Sequence, residues 1–218
     1  VDETLIDCKS PWDFLAFHLA ERYGPAGAVR ARRVRGEVEA RLRGGAGREE
    51  ANRAYFRCWA GEPAGAVRES GERWYGRAAA RPGFYHAPIR AALAAHLAGG
   101  AALVLVSGSC PAVLAPIAAA VGAARVLCAR PEVRDGVLTG GLLGGPMIGE
   151  GKRAAVRAVL RAHPEAAARD CYAYGDHISD LPMLAEVGHP VVVGADPELA
   201  RRLPLAQVMT TGQSRGVT

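Results

Sequence analysis

The chain has 218 residues, 50% of them hydrophobic, with 27 Lys plus Arg against 22 Asp plus Glu and a net charge of +5. That length suits one α/β domain carrying an insertion, or two small domains, with enough apolar residues for a sizeable core. No apolar run reaches the roughly 18–20 residues that a membrane span needs, and no secretory leader pattern opens the chain.

Cys8, Cys58, Cys110, Cys128 and Cys171 are scattered, odd in number and without CxxC spacing. This pattern fits a reducing, cytoplasmic setting and argues against a zinc site or a disulfide frame. The positive charge would suit nucleic acid, but the cations are spread along the chain and interleaved with glutamates. No nucleic-acid or membrane partner is therefore expected. Lys9 and Lys152 are the only lysines, so 27 − 2 = 25 cations are arginines. Where arginine fills nearly every cationic position, a retained lysine points to a task for a compact point charge.

Residues 10 to about 98 read as helical. Ser10-Pro11 has an N-cap and N1 pattern, and Trp12, Leu15, Leu19 and Tyr23 share a helix face that Gly24-Pro25 ends. Further helices are expected over 29–42, 49–59, 63–79 and 87–98, and their aromatic residues suit either a bundle core or a lid over a site. Ala101 to Val106 reads as a strand stopping at Ser107-Gly108-Ser109, with helix from Pro111 to Val121. A strand ending in Ser-Gly at a helix start offers a hydroxyl and free N–H groups to an anion, and equally an ordinary cap.

Another strand covers 125–129, and 132–139 reads as a hairpin turning at Asp135-Gly136. A glycine-rich loop over 140–151 leads to Lys152 at the start of a helix running through Ala162. The strand Cys171–Tyr174 is then broken by Gly175, and Asp176 and Asp180 follow. Ser179 is expected to cap the next helix. Two carboxylates at the C-terminal end of a parallel strand sit where α/β folds place ligands, and with no cysteine or histidine cluster beside them they suit Mg2+. The same stretch also suits an Asx turn with a surface aspartate. A strand at 190–193, a short helix capped by Asp196 and a polar end over 210–218 complete the chain.

In order, these are an acidic turn, a helical insert, a strand with Ser-Gly, a glycine loop with lysine, and a strand with Gly-Asp-x-x-x-Asp. The series resembles the motifs of the haloacid dehalogenase (HAD) superfamily over nearly the whole chain, most closely the phosphoserine phosphatase-like hydrolases of subfamily IB. Val1-Asp2-Glu3-Thr4 is similar to the second part of Asp-x-Asp-x-Thr. The family's nucleophilic aspartate falls immediately before Val1. It would belong to an upstream segment, be chemically modified, or be lacking from an inactive form.

The resemblance implies an α/β fold, with a Rossmann-like parallel sheet core over 1–9 and 99–218 and a helical cap over 10–98, the first strand lying upstream of Val1. It implies a Mg2+-dependent phosphatase acting on a small phosphate monoester through an aspartyl phosphate. Asp2 would serve as acid and base and, through its backbone carbonyl together with Asp176, hold the metal, while Asp180 would bind metal-bound water or orient Lys152. Thr4 would pin the first loop, and Ser107, Gly108 and Lys152 would bind the phosphoryl group. The place of the glutamate that reads an amino group falls at Lys9, so phosphoserine is not the favoured substrate. The cap arginine falls at Arg53. A phosphotransferase using the same intermediate, and an inactive binding protein, are the alternatives, and the oligomeric state is left open.

Overall fold

The computed structural model describes residues 1–211. Its helices are α1 (Ser10–Arg43), α2 (Arg48–Arg57), α3 (Ala64–Ala79), α4 (Ala87–Ala98), α5 (Pro111–Val121), α6 (Glu150–Ala162), α7 (Leu181–Leu184) and α8 (Pro197–Arg202). Its strands are β1 (Val104–Ser107), β2 (Arg125–Cys128), β3 (Pro131–Arg134), β4 (Val137–Leu142), β5 (Tyr172–Gly175), β6 (His189–Val193) and β7 (Gln207–Met209). The fold class is the expected α/β, with parallel strands joined through helices.

The chain forms two compact units. One combines Val1–Asp7, Gly83–Leu103 and the described residues from Ile148 on. Its sheet has the order β5-β6-β7, all parallel, with Tyr172 opposite His189 and Val193 opposite Met209. Val191, Val192 and Val193 are all buried, as a strand in a parallel sheet requires. Strand β7 follows Pro204 and Leu205 and has no apolar run of its own to announce it. Residues 1–7 and 83–86 lie together as a short antiparallel ribbon, in which the Asp7 N–H donates to the Phe84 carbonyl at 2.8 Å and the His86 N–H to the Leu5 carbonyl at 3.0 Å.

The other unit combines Cys8–Pro82 with Val104–Met147. This division differs from the expected one at 10–98. Strands β1 and β2 and helix α5 group with the helices because Gly71 lets α3 approach α5 until a Cβ there would overlap the Ala112 carbonyl. The core of the unit is aromatic: Phe14 stacks on Trp59 with ring centroids 5.2 Å apart, and Trp74 is buried while its indole N–H donates to Asp13 at 3.1 Å. The expected break at Gly24-Pro25 is present as a kink within α1. Gly24 leaves helical geometry at φ 59° and ψ −141°, a conformation open to glycine. Strands β1 and β2 pair in parallel, with Ser107 opposite Cys128, and β3 and β4 form the expected hairpin, extended to Leu142.

Candidate functional site

In the first unit the acidic turn is a tight one. The N–H groups of Leu5 and Ile6 both donate to the Val1 carbonyl, at 2.7 and 3.1 Å, and Glu3 takes a positive φ of 54° to close it. This turns the Thr4 hydroxyl onto the Asp176 carboxylate at 2.6 Å. Thr4 is buried and therefore holds one carboxylate rotamer rather than exchanging with water. The expected pinning role of Thr4 thus has a definite partner, 172 residues away in sequence.

Strand β5 ends at Gly175, where a Cβ would lie 2.8 Å from the Asp180 Cβ, so glycine is needed for the chain to fold back. The return is a single turn of 3-10 helix over Ile178–Asp180, in which the Asp180 N–H donates to the His177 carbonyl at 2.8 Å. His177 caps this turn, its Nδ1 accepting from the Ser179 N–H at 3.0 Å. The expected Ser179 cap of the next helix is not formed: Asp180 directly precedes α7, and no side chain caps it. Asp196 ties the loop from outside. It accepts from the Ile178 N–H at 3.2 Å while capping α8 through the N–H groups of Glu198 and Leu199.

The loop aims Asp180 at Lys152, near the start of α6. The ammonium nitrogen lies 2.6 Å from the carboxylate, and both residues are buried. Burial alone would raise the Asp180 pKa, but the charge and hydrogen bond of Lys152 outweigh it and hold the carboxyl below its ordinary value. Asp176 is shifted the opposite way. Burial raises its pKa, the Thr4 hydrogen bond offsets part of the shift, and the neighbouring Asp180 charge adds to it. One carboxylate is therefore neutralised by a lysine, and the other is desolvated and short of positive charge.

A divalent cation suits this donor set. Among the described residues no three His, Cys, Asp or Glu side chains form a metal group. Mg2+ needs fewer: it is usually held by one or two carboxylates with waters. Asp176 is a hard oxygen donor whose pKa burial raises, and a cation beside it would offset that cost.

In the second unit Ser107 ends β1 and is buried. Its Oγ accepts from the Ser109 N–H at 3.1 Å, which leaves its own hydrogen to donate elsewhere. The Gly108 carbonyl accepts from the Asn52 side-chain amide of α2 at 3.0 Å. Sequence reading passed over Asn52, since one asparagine in a charged helix gives no signal, and it assigned His177 no role. Lys9 and Arg53 have exposed side chains. Lys9 precedes α1, whose first N–H groups donate to its carbonyl, and Arg53 follows Asn52 on α2. The structure gathers Asp2, Thr4, Lys152, Asp176 and Asp180 in one unit and keeps Ser107, Gly108, Lys9 and Arg53 in the other.

The structure thus carries a buried Lys–Asp pair and a threonine-held aspartate just beyond the end of a parallel strand. The haloacid dehalogenase-like hydrolase family matches residues 1–185, and the chain belongs to that family. A solved protein of unknown function from Bordetella pertussis Tohama I superposes with a TM-score of 0.82 at 28% identity, over 97% of this chain and 96% of that one. A substrate-bound phosphoserine phosphatase shares the fold at 19% identity, with a TM-score of 0.70 over 98% of this chain and 90% of that one. A probable phosphatase of Mycobacterium tuberculosis is 42% identical over 109 residues, which is 50% of this chain and 37% of that protein. The chain thus spans little more than a third of the length of the curated relatives it matches first.

Proposed function

We propose that the protein is a Mg2+-dependent phosphatase that hydrolyses a small-molecule phosphate monoester. The observation that carries this reading is the charge arrangement of the first unit: a buried lysine spent on Asp180, and beside it Asp176, desolvated and short of a cation.

Asp2, Asp176 and Asp180 supply the metal site, Asp2 through its backbone carbonyl. Bound Mg2+ would offset the repulsion between an anionic nucleophile and an anionic ester. Lys152 holds Asp180 in place and adds positive charge toward the phosphoryl group. Thr4 fixes Asp176. The Ser107 hydroxyl and the Gly108 N–H donate to phosphoryl oxygens.

In this reading the nucleophile would be the aspartate that the family's first motif carries immediately before the position of Val1. Its side chain would attack phosphorus to give an aspartyl phosphate. Asp2 would protonate the leaving oxygen and then take the proton from the hydrolytic water.

The segment 10–98 serves as the cap that reads the leaving group. Lys9 disfavours an ammonium there, so phosphoserine is not the favoured substrate, and Arg53 suits an additional acidic group. Cytoplasmic location accords with the free cysteines among the described residues. No nucleic-acid or membrane partner is proposed, and among the described residues no helix is long and apolar enough to cross a membrane.

The test is phosphate release by the full-length protein from a panel of phosphometabolites, with and without Mg2+, and with Asp2→Asn in parallel. Release that requires Mg2+ and falls by on the order of 10²-fold or more in Asp2→Asn is the expected result. Release that occurs only with an added acceptor would point to a phosphotransferase. No release and no phosphate binding would leave an inactive binding protein.

A further inference from the structure

We infer that Asn52 is a positioning residue for the Ser107 hydroxyl, acting through the peptide group between Gly108 and Ser109. The inference rests on the proposed role of Ser107 as a donor to the phosphoryl group.

The geometry is a chain of two hydrogen bonds through one peptide unit. The Asn52 amide Nδ2 donates to the Gly108 carbonyl at 3.0 Å. The N–H of the same peptide unit, carried by Ser109, donates to Ser107 Oγ at 3.1 Å. A donor on a carbonyl polarises the attached N–H and strengthens the bond that it makes in turn. The N–H occupies one lone pair of Ser107, so the hydroxyl hydrogen is confined to directions away from that peptide. The Ser10 hydroxyl, 3.5 Å from Ser109 Oγ, holds the next residue of the loop from the other side.

A second observation points the same way. Asn52 Oδ1 is buried and, among the described residues, has no hydrogen-bond partner. A buried unpaired acceptor is destabilising, and a leucine of nearly the same shape would remove it. Among the described residues, the bond to Gly108 is the one that the Asn52 amide makes. The residue gives up stability for that bond. Its helix is a rigid support, since Ala51, Ala54, Tyr55 and Phe56 of α2 are buried and the Tyr55 hydroxyl donates to the Pro11 carbonyl at 3.0 Å.

Full-length protein tests this with three readouts: turnover of p-nitrophenyl phosphate, calorimetric binding of inorganic phosphate, and the thermal midpoint. Asn52→Leu should lower kcat on the order of tenfold, the worth of about one neutral hydrogen bond, with KM within about threefold. Its thermal midpoint should equal or exceed that of the parent. Asn52→Asp, which keeps the shape and turns the donor into an acceptor, should fall at least as far in kcat. In a Ser107→Ala background, Asn52→Leu should add no further loss, because the group that it positions is gone.

Parental kcat in Asn52→Leu overturns the inference. So does an equal loss with and without Ser107, or a loss matched by a lower midpoint in both Asn52 variants. A parent protein that neither turns over the ester nor binds phosphate overturns the phosphatase reading and this inference with it. A parent that turns over, with Asn52→Leu unchanged, overturns this inference alone.

Discussion

Asp176 and Asp180 lie four residues apart, yet the structure gives them opposite electrostatic surroundings. Asp180 is paired with Lys152 inside the protein, and removing one partner of a buried pair leaves the other charged and desolvated. Lys152→Met should therefore destabilise the protein by about 3–5 kcal/mol, read from urea unfolding, independently of any loss of activity. Asp176 should respond the other way. Its raised pKa means that its charge costs stability at neutral pH without a cation, since a raised folded value favours the protonated form as pH falls. Asp176→Asn should raise the metal-free thermal midpoint by about 2–4 °C for each kcal/mol relieved. Mg2+ should raise the midpoint of the parent protein and leave that of Asp176→Asn unmoved, which calorimetric scans with and without the ion would decide. Both carboxylates were legible as candidates from strand, glycine and spacing. Orienting Lys152 was one of two roles open to Asp180, whereas the hold of Thr4 on Asp176 was not legible, because the two lie 172 residues apart.

The elements were legible where local chemistry dictates them. Gly24-Pro25, Asp135-Gly136 and Asp196-Pro197 each interrupt or start an element where glycine and proline geometry requires it. The failures have local causes too. Ser179 is a good cap by type, but Asp180 directly precedes α7, and Ser179 lies in a 3-10 turn that His177 holds through the Ser179 N–H and Asp196 through the Ile178 N–H. Strand β7 pairs with β6 although it is short and mostly exposed, so only its neighbour defines it. Helix α3 is the element most sensitive to a small change. Gly71→Ala would drive a methyl into the Ala112 carbonyl of α5, so neither helix could keep its place. A loss of at least about 2 kcal/mol is expected, with Gly76→Ala on the open side of α3 neutral or stabilising. Chemical denaturation of the two variants would show the contrast.

For the molecule as a whole, folded-state pKa shifts combine into a single trend with acid. His18 is buried, which lowers its pKa despite the hydrogen bond that its ring gives to Glu62, so below about pH 6.5 the unfolded chain takes up a proton that the folded one refuses. Glu21, held by Arg73, Glu186, held by Arg157 and Arg153, and Asp196, held by backbone N–H groups, all have lowered values. Each contributes stability above its unfolded pKa and loses it as pH falls through the folded one. Only Asp176 opposes them among the shifted carboxylates of the described residues. The urea midpoint should therefore decline from about pH 6.5 downward and steepen below about pH 4.5, and His18→Gln should flatten the upper part of the decline. A midpoint that rises between pH 7 and 5.5 in the parent protein would contradict the assignment of His18 as buried and neutral.

By itself, the sequence determined the α/β class, the family and the order of motifs, because these rest on strand-ending glycines, carboxylate spacing and a lysine retained in an arginine-rich chain. Only the tertiary structure decided which partner each charged group has: Lys152 with Asp180, Thr4 with Asp176, and the peptide behind Ser107 with Asn52. It also placed β1, β2 and α5 with the helices of 8–82. Hydrogen bonds and close helix contacts between residues distant in the chain leave no periodicity to read. They depend on burial and on distances of a few tenths of an ångström, which exist only once the chain has folded.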